Sequence, residues 1–434
     1  MHHARPSGYP RDRRINPSGR RHVVISFASA SPTGVAGWAL TALLTLPGLA
    51  AAASGLYLVS LALASFFARP RRGGEPPPAY DLAVLVPAHN EAALIARCLE
   101  SLAGQDYPTE RYSVVVIADN CTDDTAAIAA SCGARVFTRE SNARGKGQAL
   151  RWAMEQLLND ADAPEAIVVI DADSVVDPGL LSGLTAELDR GADVVQAEYL
   201  ALPEDDSLRA TLRASSLLLF HRVRFSGRKV LGLPCNLVGN GMLFSRQLLI
   251  EQPWTAYTSA EDLEFSVDLR VAGFRPVYAS SALVRGPLPT RGKAAGKQQL
   301  RWEGGRFHVV RTRLPRLVAA IVRDRRWSLI DAAIDLAVPP LGILALGAAM
   351  GTTVSAATVA LGWTPAWILA PWLIAFASVP TFVLAGFVSA GAPRATYRSL
   401  LLAPWFVMTG LVNRLRLLHD LRATTWERTE RPGD

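Results

Sequence analysis

Two long stretches without a charged residue constrain this chain more than any other feature. Residues 23–68 and residues 336–393 contain no Asp, Glu, Lys or Arg. Each stretch is longer than the roughly 20 apolar residues that cross the hydrocarbon core of a bilayer. The sequence therefore predicts an integral membrane protein with a large soluble part between its membrane anchors.

The distribution of charge argues for a membrane partner and against nucleic acid. The chain of 434 residues has a formal net charge of +7. Residues 1–31 carry +5 and residues 394–434 carry +3, which leaves −1 for the remaining 362 residues. Positive residues beside apolar spans are typical of cytoplasmic loops. No basic stripe interleaved with aromatic residues is present, so we expect no nucleic-acid partner.

The cysteines agree with a cytoplasmic location for the soluble part. Cys98, Cys121, Cys132 and Cys235 all lie between the apolar stretches, and none forms a CxxC pair. Reduced thiols are the expected state in the cytosol. The N-terminal pattern lacks a cleavable signal peptide. We therefore expect a multi-pass protein of the cell (inner) membrane whose catalytic domain is cytoplasmic.

The chain divides into six predicted segments. They are a disordered basic arm (residues 1–31), a transmembrane segment (32–68), a linker (69–80), a soluble domain (81–315), two transmembrane helices with a basic approach (316–393), and an interfacial helix with a cytoplasmic tail (394–434). The first apolar stretch predicts either one long kinked helix or a hairpin broken near Pro47. Residues 399–412 are apolar between basic flanks but too few to span, which favours an interfacial helix.

Residues 81–315 alternate between strand and helix patterns. Short β-branched apolar runs predict strands at residues 82–86, 114–118, 134–137, 167–170 and 194–197. Amphipathic stretches between them, such as residues 92–102 and 147–158, predict helices. Buried strands that alternate with helices indicate an α/β fold with a mostly parallel sheet covered by helices.

Acidic residues collect where predicted strands end. The first strand is followed by His89-Asn90-Glu91, the second ends in Asp119, and the fourth ends in Asp171-Ala172-Asp173. A single acid in such a place commonly caps a helix. Three clusters at equivalent strand ends instead indicate a ligand site, because open α/β sheets bind ligands there. Asp-x-Asp suits Mg²⁺ or Mn²⁺, with phosphate oxygens completing the coordination.

Three further motifs follow in the same domain. Lys146 lies among glycines at a predicted helix start, a fair site for phosphate, although the Walker spacing is absent. Glu261-Asp262 is a carboxylate pair that opens another helix. In Gln298-x-x-Arg301-Trp302, the neighbouring Arg and Trp suit a phosphate contact and a stacking face for a sugar or base.

Together and in this order, these motifs resemble the membrane-bound family 2 glycosyltransferases. This family has a GT-A fold and includes the synthases of cellulose, chitin, hyaluronan and poly-N-acetylglucosamine. The resemblance covers about half of the chain, and the loop Gly239-Asn240-Gly241 stands where the family has an acceptor-side loop. One departure is Ala260, which precedes the acidic pair where these synthases usually have Thr.

The resemblance implies a role for each motif. The donor-binding residues would be Pro87, His89, Asn90, Glu91, Asp119, Lys146, Asp171 and Arg301. Asp119 and Glu91 would hold the uracil and ribose, while Lys146 and Arg301 would contact the diphosphate. Asp173, helped by Asp171, would bind the metal. Asp262, beside Glu261, would be the catalytic base. Gln298, Trp302 and the loop Gly239, Asn240 and Gly241 would lie on the acceptor side.

The implied function is inverting transfer of a hexose or N-acetylhexosamine from a UDP-sugar to a growing β-glycan at the cytoplasmic membrane face. Single-sugar transfer to a membrane lipid is the alternative, because the Gln-x-x-Arg-Trp motif occurs in both groups. A catalytically silent membrane scaffold is the third hypothesis. The sugar, the linkage and any export partner stay open at this point.

Overall fold

The computed structural model describes residues 34–68, 80–202, 207–288 and 292–418. The predicted basic arm, residues 69–79 of the predicted linker and the tail beyond residue 418 lie outside the described residues.

One mixed sheet forms the centre of the soluble part. Its strands are β1 (Leu82–Ala88), β2 (Tyr112–Asp119), β3 (Arg135–Arg139), β4 (Ala166–Val169), β5 (Val175–Val176), β6 (Val194–Leu202), β7 (Met242–Ser245) and β8 (Val277–Pro287). They lie in the order β3-β2-β1-β4-β7-β6-β8-β5. The pairs among β1 to β4 are parallel, as is β6 with β8, whereas β7 runs antiparallel to both of its neighbours and β5 to β8. The predicted α/β class with a mostly parallel sheet is confirmed.

The first strand explains why the sheet could be predicted from apolar runs. Leu82, Val84 and Val86 of β1 pack into one hydrophobic cluster, and Ala83 and Leu85 pack into another on the opposite face. A strand that is covered on both faces has no polar alternation, so it appears in the sequence as an uninterrupted apolar run. The short strands β5 and β7 and the polar-interrupted β8 lack that signal and were not predicted.

The helices around the sheet follow the strands in alternation, as predicted. They are α2 (Ile95–Ala103), α3 (Thr125–Ser131), α4 (Lys146–Leu158), α5 (Leu180–Leu188), α6 (Leu208–Leu217), α7 (Arg224–Val230), α8 (Arg246–Glu251) and α9 (Glu261–Ala272). The helix before the sheet is α1 (Gly34–Ser65). Those after it are α10 (Gly292–Arg323), α11 (Ile330–Ala337), α12 (Leu341–Ala360), α13 (Leu369–Ser389), α14 (Arg394–Ser399) and α15 (Ala403–Leu418).

Three helical segments of the described chain are long and apolar enough to cross a membrane. They are Val35–Ser65, Leu341–Ala360 and Ala366–Ser389. The first apolar stretch forms the single helix α1 with Pro47 inside it, so the hairpin alternative is wrong.

Trp372 of α13 joins the three membrane-length helices. A Cβ atom added at Gly48 of α1 would lie 2.8 Å from the Trp372 indole nitrogen, and Gly351 of α12 faces the same ring. The indole Nε1 donates a hydrogen bond to the carbonyl of Leu44 at 2.9 Å. The helices therefore pack directly against one another, with glycines making room for one large aromatic side chain.

The long helix α10 connects the soluble part to the membrane-length helices. It continues through Pro315 to Arg323, so the boundary predicted at residue 315 falls inside a helix. Leu317 and Ala320 lie in one buried cluster with Val267 of α9, so apolar burial continues past the proline. The helix thus continues although a proline removes one backbone hydrogen bond from it.

Candidate functional site

The ends of β1 and β2 bring the first group of predicted residues together. Pro87 lies inside β1 opposite Ile117 of β2. His89 Nδ1 lies 2.7 Å from the backbone carbonyl oxygen of Asp119. The side-chain oxygen of Asn90 accepts from the Thr122 amide at 2.7 Å, and the Glu91 amide donates to the Thr125 hydroxyl at 2.8 Å. The two loops therefore form one connected surface beyond the strand ends.

Asp119 is held by a partner that the sequence analysis missed. The Arg139 guanidinium lies 2.5 Å from Asp119 Oδ1, and both side chains are buried. The two residues are directly opposite each other in the parallel pair of β2 and β3. The register of two strands brings them together, and no local sequence pattern reports a register.

Asp171 and Asp173 form an acidic turn directly after β4. The turn is closed by the Ser174 amide, which donates to the Asp171 carbonyl at 3.0 Å. Lys146, the first residue of α4, donates to Asp171 Oδ1 at 2.5 Å and to the Gly239 carbonyl at 2.5 Å. The Ser174 hydroxyl donates to Asp173 Oδ1 at 3.2 Å. Lys146 therefore links the acidic turn to the loop of residues 239–241.

Glu261 and Asp262 open α9 on the other side of Lys146. The Leu263 amide donates to Asp262 Oδ1 at 2.7 Å. A Cβ atom added at Gly239 would lie 3.1 Å from Asp262 Oδ2 and 3.6 Å from Lys146 Nζ. Gly239 also has a φ of 82°, which favours glycine. The absence of a side chain at Gly239 thus lets the second acidic pair approach Lys146.

The buried environment shifts the titration of these groups. Burial, followed by repulsion from Glu261, raises the pKa of Asp262 to about 7. Burial also raises the pKa of Glu261, although the ammonium of Lys146 opposes this effect. Burial would lower the pKa of Lys146, but Asp171 and Glu261 raise it above its ordinary value. A carboxyl group that titrates near neutral pH is well matched to general base chemistry.

The motif Gln298-x-x-Arg301-Trp302 lies in α10. Arg301 is close enough to Glu261 to oppose the rise in that residue's pKa, while Trp302 is 42% exposed. The helix approaches the start of α9 at Gly305, where an added Cβ atom would lie 2.8 Å from the Ala260 Cβ. A threonine at position 260 would add two heavy atoms at this contact. Ala260, which departs from the usual motif, therefore lies against another small residue, Gly305.

The side chain of Asn240, which was predicted on the acceptor side, is buried in the structure. It is 1% exposed and lies beneath the acidic turn, where it accepts from the Asp171 amide at 3.2 Å and donates to the Ser174 hydroxyl at 2.8 Å. Gly241 packs against β6, since a Cβ atom there would lie 2.7 Å from the Ala197 Cβ. Gly239 lies beside Asp262.

The charges at the site fit a divalent cation. The carboxylates of Asp171, Glu261 and Asp262 gather around Lys146, with Asp173 in the same turn as Asp171 and Arg301 near Glu261. These groups carry two more negative than positive charges when all are ionised. In the part of the chain that the structure describes, no three His, Cys, Asp or Glu side chains form a complete metal site. Two carboxylates are enough for Mg²⁺ or Mn²⁺ when phosphate oxygens supply other ligands.

Curated relatives of the chain are glycosyltransferases. It is 29% identical over 260 residues to a beta-monoglucosyldiacylglycerol synthase of Nostoc sp.. The matched region covers 56% of this chain and 53% of the relative. It is 26% identical over 348 residues to an N-acetylglucosaminyltransferase of Neorhizobium galegae. That match covers 69% of this chain and 72% of the relative. The chain spans about half the length of the first curated relatives it matches.

One similar solved structure is a mannosyltransferase from Pyrobaculum calidifontis in complex with GDP-Man and Mn²⁺. It is 19% identical, covers 81% of this chain and 98% of its own, and has a TM-score of 0.49. The family model described as "Glycosyltransferase like family 2" matches residues 77–305, which hold the whole sheet and both acidic pairs. This model covers more than half of the chain, which therefore belongs to the family 2 glycosyltransferases.

Proposed function

We propose that this chain transfers a sugar from a UDP-sugar to an acceptor hydroxyl, with inversion at the anomeric carbon. The observation that carries the proposal is the single cluster around Lys146. There, the acidic turn of Asp171 and Asp173 lies next to the acidic pair of Glu261 and Asp262. Neighbouring side chains would thus bind the diphosphate leaving group and act as the base.

The donor is held in this proposal by the loops after β1, β2 and β4. Asp119, oriented by Arg139, and Glu91 bind the uracil and ribose, and His89 and Asn90 shape the same surface. Lys146 moves from Asp171 to the diphosphate when the donor enters, and Arg301 approaches from α10. The buried position of Asp119 and its fixed partner support a role in recognition of one particular base.

Asp171 and Asp173 would hold a divalent cation, Mg²⁺ or Mn²⁺. When bound, it would supply positive charge to offset the charge that develops on the leaving UDP. The excess of negative charge at the site supports this role for the two residues.

Asp262 is the general base of the proposed reaction. Its carboxylate takes the proton of the acceptor hydroxyl while the hydroxyl oxygen forms a bond to the anomeric carbon. The bond from that carbon to the diphosphate oxygen breaks, and its electron pair leaves with UDP. A single displacement from the opposite face inverts the anomeric configuration. The raised pKa of Asp262 supports its use as a base near neutral pH.

The membrane-length helices favour a membrane lipid as the acceptor. Trp372 fills the contact among α1, α12 and α13, so these three helices pack directly together. Such packing suits an anchor beside a lipid substrate better than a wall around a polymer. A relative is a beta-monoglucosyldiacylglycerol synthase, which agrees with this choice. The second candidate is a growing β-glycan, and the N-acetylglucosaminyltransferase relative is the observation that favours it.

We further propose that the catalytic domain faces the cytoplasm of a multi-pass protein of the cell (inner) membrane. The basic residues beside the apolar stretches and the free thiols in the soluble part support that orientation. In this arrangement α15 overlaps the interfacial helix that was predicted at residues 399–412 from its basic flanks.

A UDP-release assay tests the proposal. The purified chain in nanodiscs that contain a total lipid extract is incubated with a panel of labelled UDP-sugars, with and without Mn²⁺. We expect Mn²⁺-dependent UDP release with one or a few donors and a single labelled glycolipid. A ladder of water-soluble products would instead establish a β-glycan synthase. Absence of UDP release with every donor would favour the catalytically silent scaffold.

A further inference from the structure

Hydrogen bonds to its backbone hold the loop of residues 239–241 between two strands. The Gly241 amide donates to the Val169 carbonyl of β4 at 2.9 Å, and the Gly241 carbonyl accepts from the Ala197 amide of β6 at 2.7 Å. The Asn240 carbonyl accepts from the Gln196 side chain at 2.7 Å. The backbone at Asn240 is therefore held from both sides, and this fixes the point from which its side chain extends.

The Asn240 amide reaches both sides of the acidic turn. Its oxygen accepts from the Asp171 amide at 3.2 Å, and its nitrogen donates to the Ser174 hydroxyl at 2.8 Å. Because the nitrogen occupies the Ser174 oxygen as a donor, the hydroxyl proton is directed to Asp173, at 3.2 Å. One side chain thus contacts the backbone of the first acid and, through one hydroxyl, the carboxylate of the second.

Tyr199 of β6 joins the same group from the far side. Its hydroxyl lies near the Asn240 side chain, and burial, followed by the nearby Asp173 and Asp171, raises the pKa of Tyr199. Gly286 of β8 leaves the room that the Tyr199 hydroxyl occupies. The Asn240 side chain is thereby enclosed, so it cannot rotate away from the turn without breaking several hydrogen bonds.

We propose that Asn240 is a positioning residue that fixes the relative orientation of the Asp171 and Asp173 carboxylates and so sets the affinity of the chain for its divalent cation. This inference rests on the proposed role of the acidic turn. It requires an asparagine, because the side chain must accept a bond from Asp171 and donate one to Ser174 at the same time. An aspartate would supply no donor and would add a third negative charge beneath the turn.

The test compares Asn240→Ala and Ser174→Ala with a matched control. The control is Asn236→Ala, because Asn236 is also buried and hydrogen-bonded but donates to Asp335, away from the acidic turn. Free Mn²⁺ is titrated by electron paramagnetic resonance against each full-length protein in detergent with UDP present. Affinity for UDP without metal is measured separately in EDTA.

We expect Asn240→Ala to weaken Mn²⁺ binding about 10- to 100-fold, the range typical of lost partners of metal ligands. Ser174→Ala should weaken it less, since only the link to Asp173 is lost. Affinity for UDP in EDTA should be unchanged, and Asn236→Ala should bind Mn²⁺ like the wild type.

Each outcome separates this inference from the proposed function. Wild-type protein that binds no Mn²⁺ with UDP would overturn the proposed metal site and this inference with it. Wild-type binding combined with unchanged Mn²⁺ affinity in Asn240→Ala would overturn this inference alone. If Asn240→Ala does not fold, Ser174→Ala decides the matter by the same comparison. Equal weakening in the Asn236→Ala control would show a general loss of stability and would also overturn it.

Discussion

Replacement of Asp262 with Asn tests the centre of the proposed mechanism. The substitution keeps the shape of the side chain and removes its ability to accept a proton. Loss of a general base typically lowers turnover by about 10²- to 10⁴-fold. Affinity for the UDP-sugar should stay nearly constant, because Lys146 and Asp171, rather than Asp262, serve the diphosphate side of the cluster.

The pH dependence of the wild type follows from the same residue. Burial and the neighbouring Glu261 raise the pKa of Asp262 to about 7, and only the deprotonated carboxylate can act as a base. Turnover should therefore rise with pH. With one ionisation near pH 7, the active fraction grows roughly tenfold between pH 6 and pH 8. In Asp262→Asn, the small remaining activity should lack this rise.

The assay is UDP release at saturating donor across pH 5.5 to 8.5, with donor affinity measured by titration of the protein with UDP. The matched control is Asp268→Asn on the same helix, where the carboxylate pairs with Arg313 at 2.8 Å, away from the cluster around Lys146. The control should keep the wild-type turnover and pH profile. Weak donor binding with turnover preserved in Asp262→Asn would refute the assignment, and Glu261 would then be the first residue to test as the base.

Four further predictions follow from the site and its supports. Asp173→Ala should abolish activity and Mn²⁺-dependent UDP binding while the protein still folds, and calorimetry that shows unchanged Mn²⁺-dependent affinity would place the ion elsewhere. Arg139→Leu removes the cation that faces the buried Asp119, so it should destabilise the protein by about 3 to 5 kcal/mol and lower the midpoint of thermal unfolding. Gly305→Val should push α10 from Ala260 and lower turnover, whereas Gly304→Ala should not, since nothing lies within 4 Å of an added Cβ at Gly304. Cysteines engineered into the basic tail should resist an impermeant thiol reagent on intact cells, and ready labelling would contradict the proposed cytoplasmic orientation.

The sequence predicted the parts of the fold that leave a local signal. Strands β1, β2 and β4 contain apolar runs, and an acid lies at or shortly after the end of each, so both the strands and the acids at their ends were predicted. The strands β5, β7 and β8 were missed, since they are short or contain polar residues. They gain their places through pairing with strands that are distant in the chain.

The residues that support the site were hidden for the same reason. Arg139 meets Asp119 only through the register of β2 and β3, and Asn240 meets the acidic turn only because β7 lies beside β4. Ser174 follows Asp173 directly, but this adjacency in sequence does not reveal that the Ser174 hydroxyl accepts a hydrogen bond from Asn240. Motifs thus identified the groups proposed to contact substrate, while the groups that orient them required the sheet topology.

A buried network of charges connects α9, which carries the proposed base, to the membrane-length helix α1. Asp331 of α11 accepts from Arg270 of α9 at 2.6 Å and from Arg228 of α7, and Arg228 also bonds to the Tyr57 hydroxyl of α1. Removal of one partner from such a buried network leaves an uncompensated charge, so the helices are held in one arrangement. Since Arg270 and Asp262 lie on the same helix, the network sets where the proposed base stands relative to the membrane-length helix α1. An acceptor at the bilayer surface would then meet a base whose position is fixed by the anchor itself.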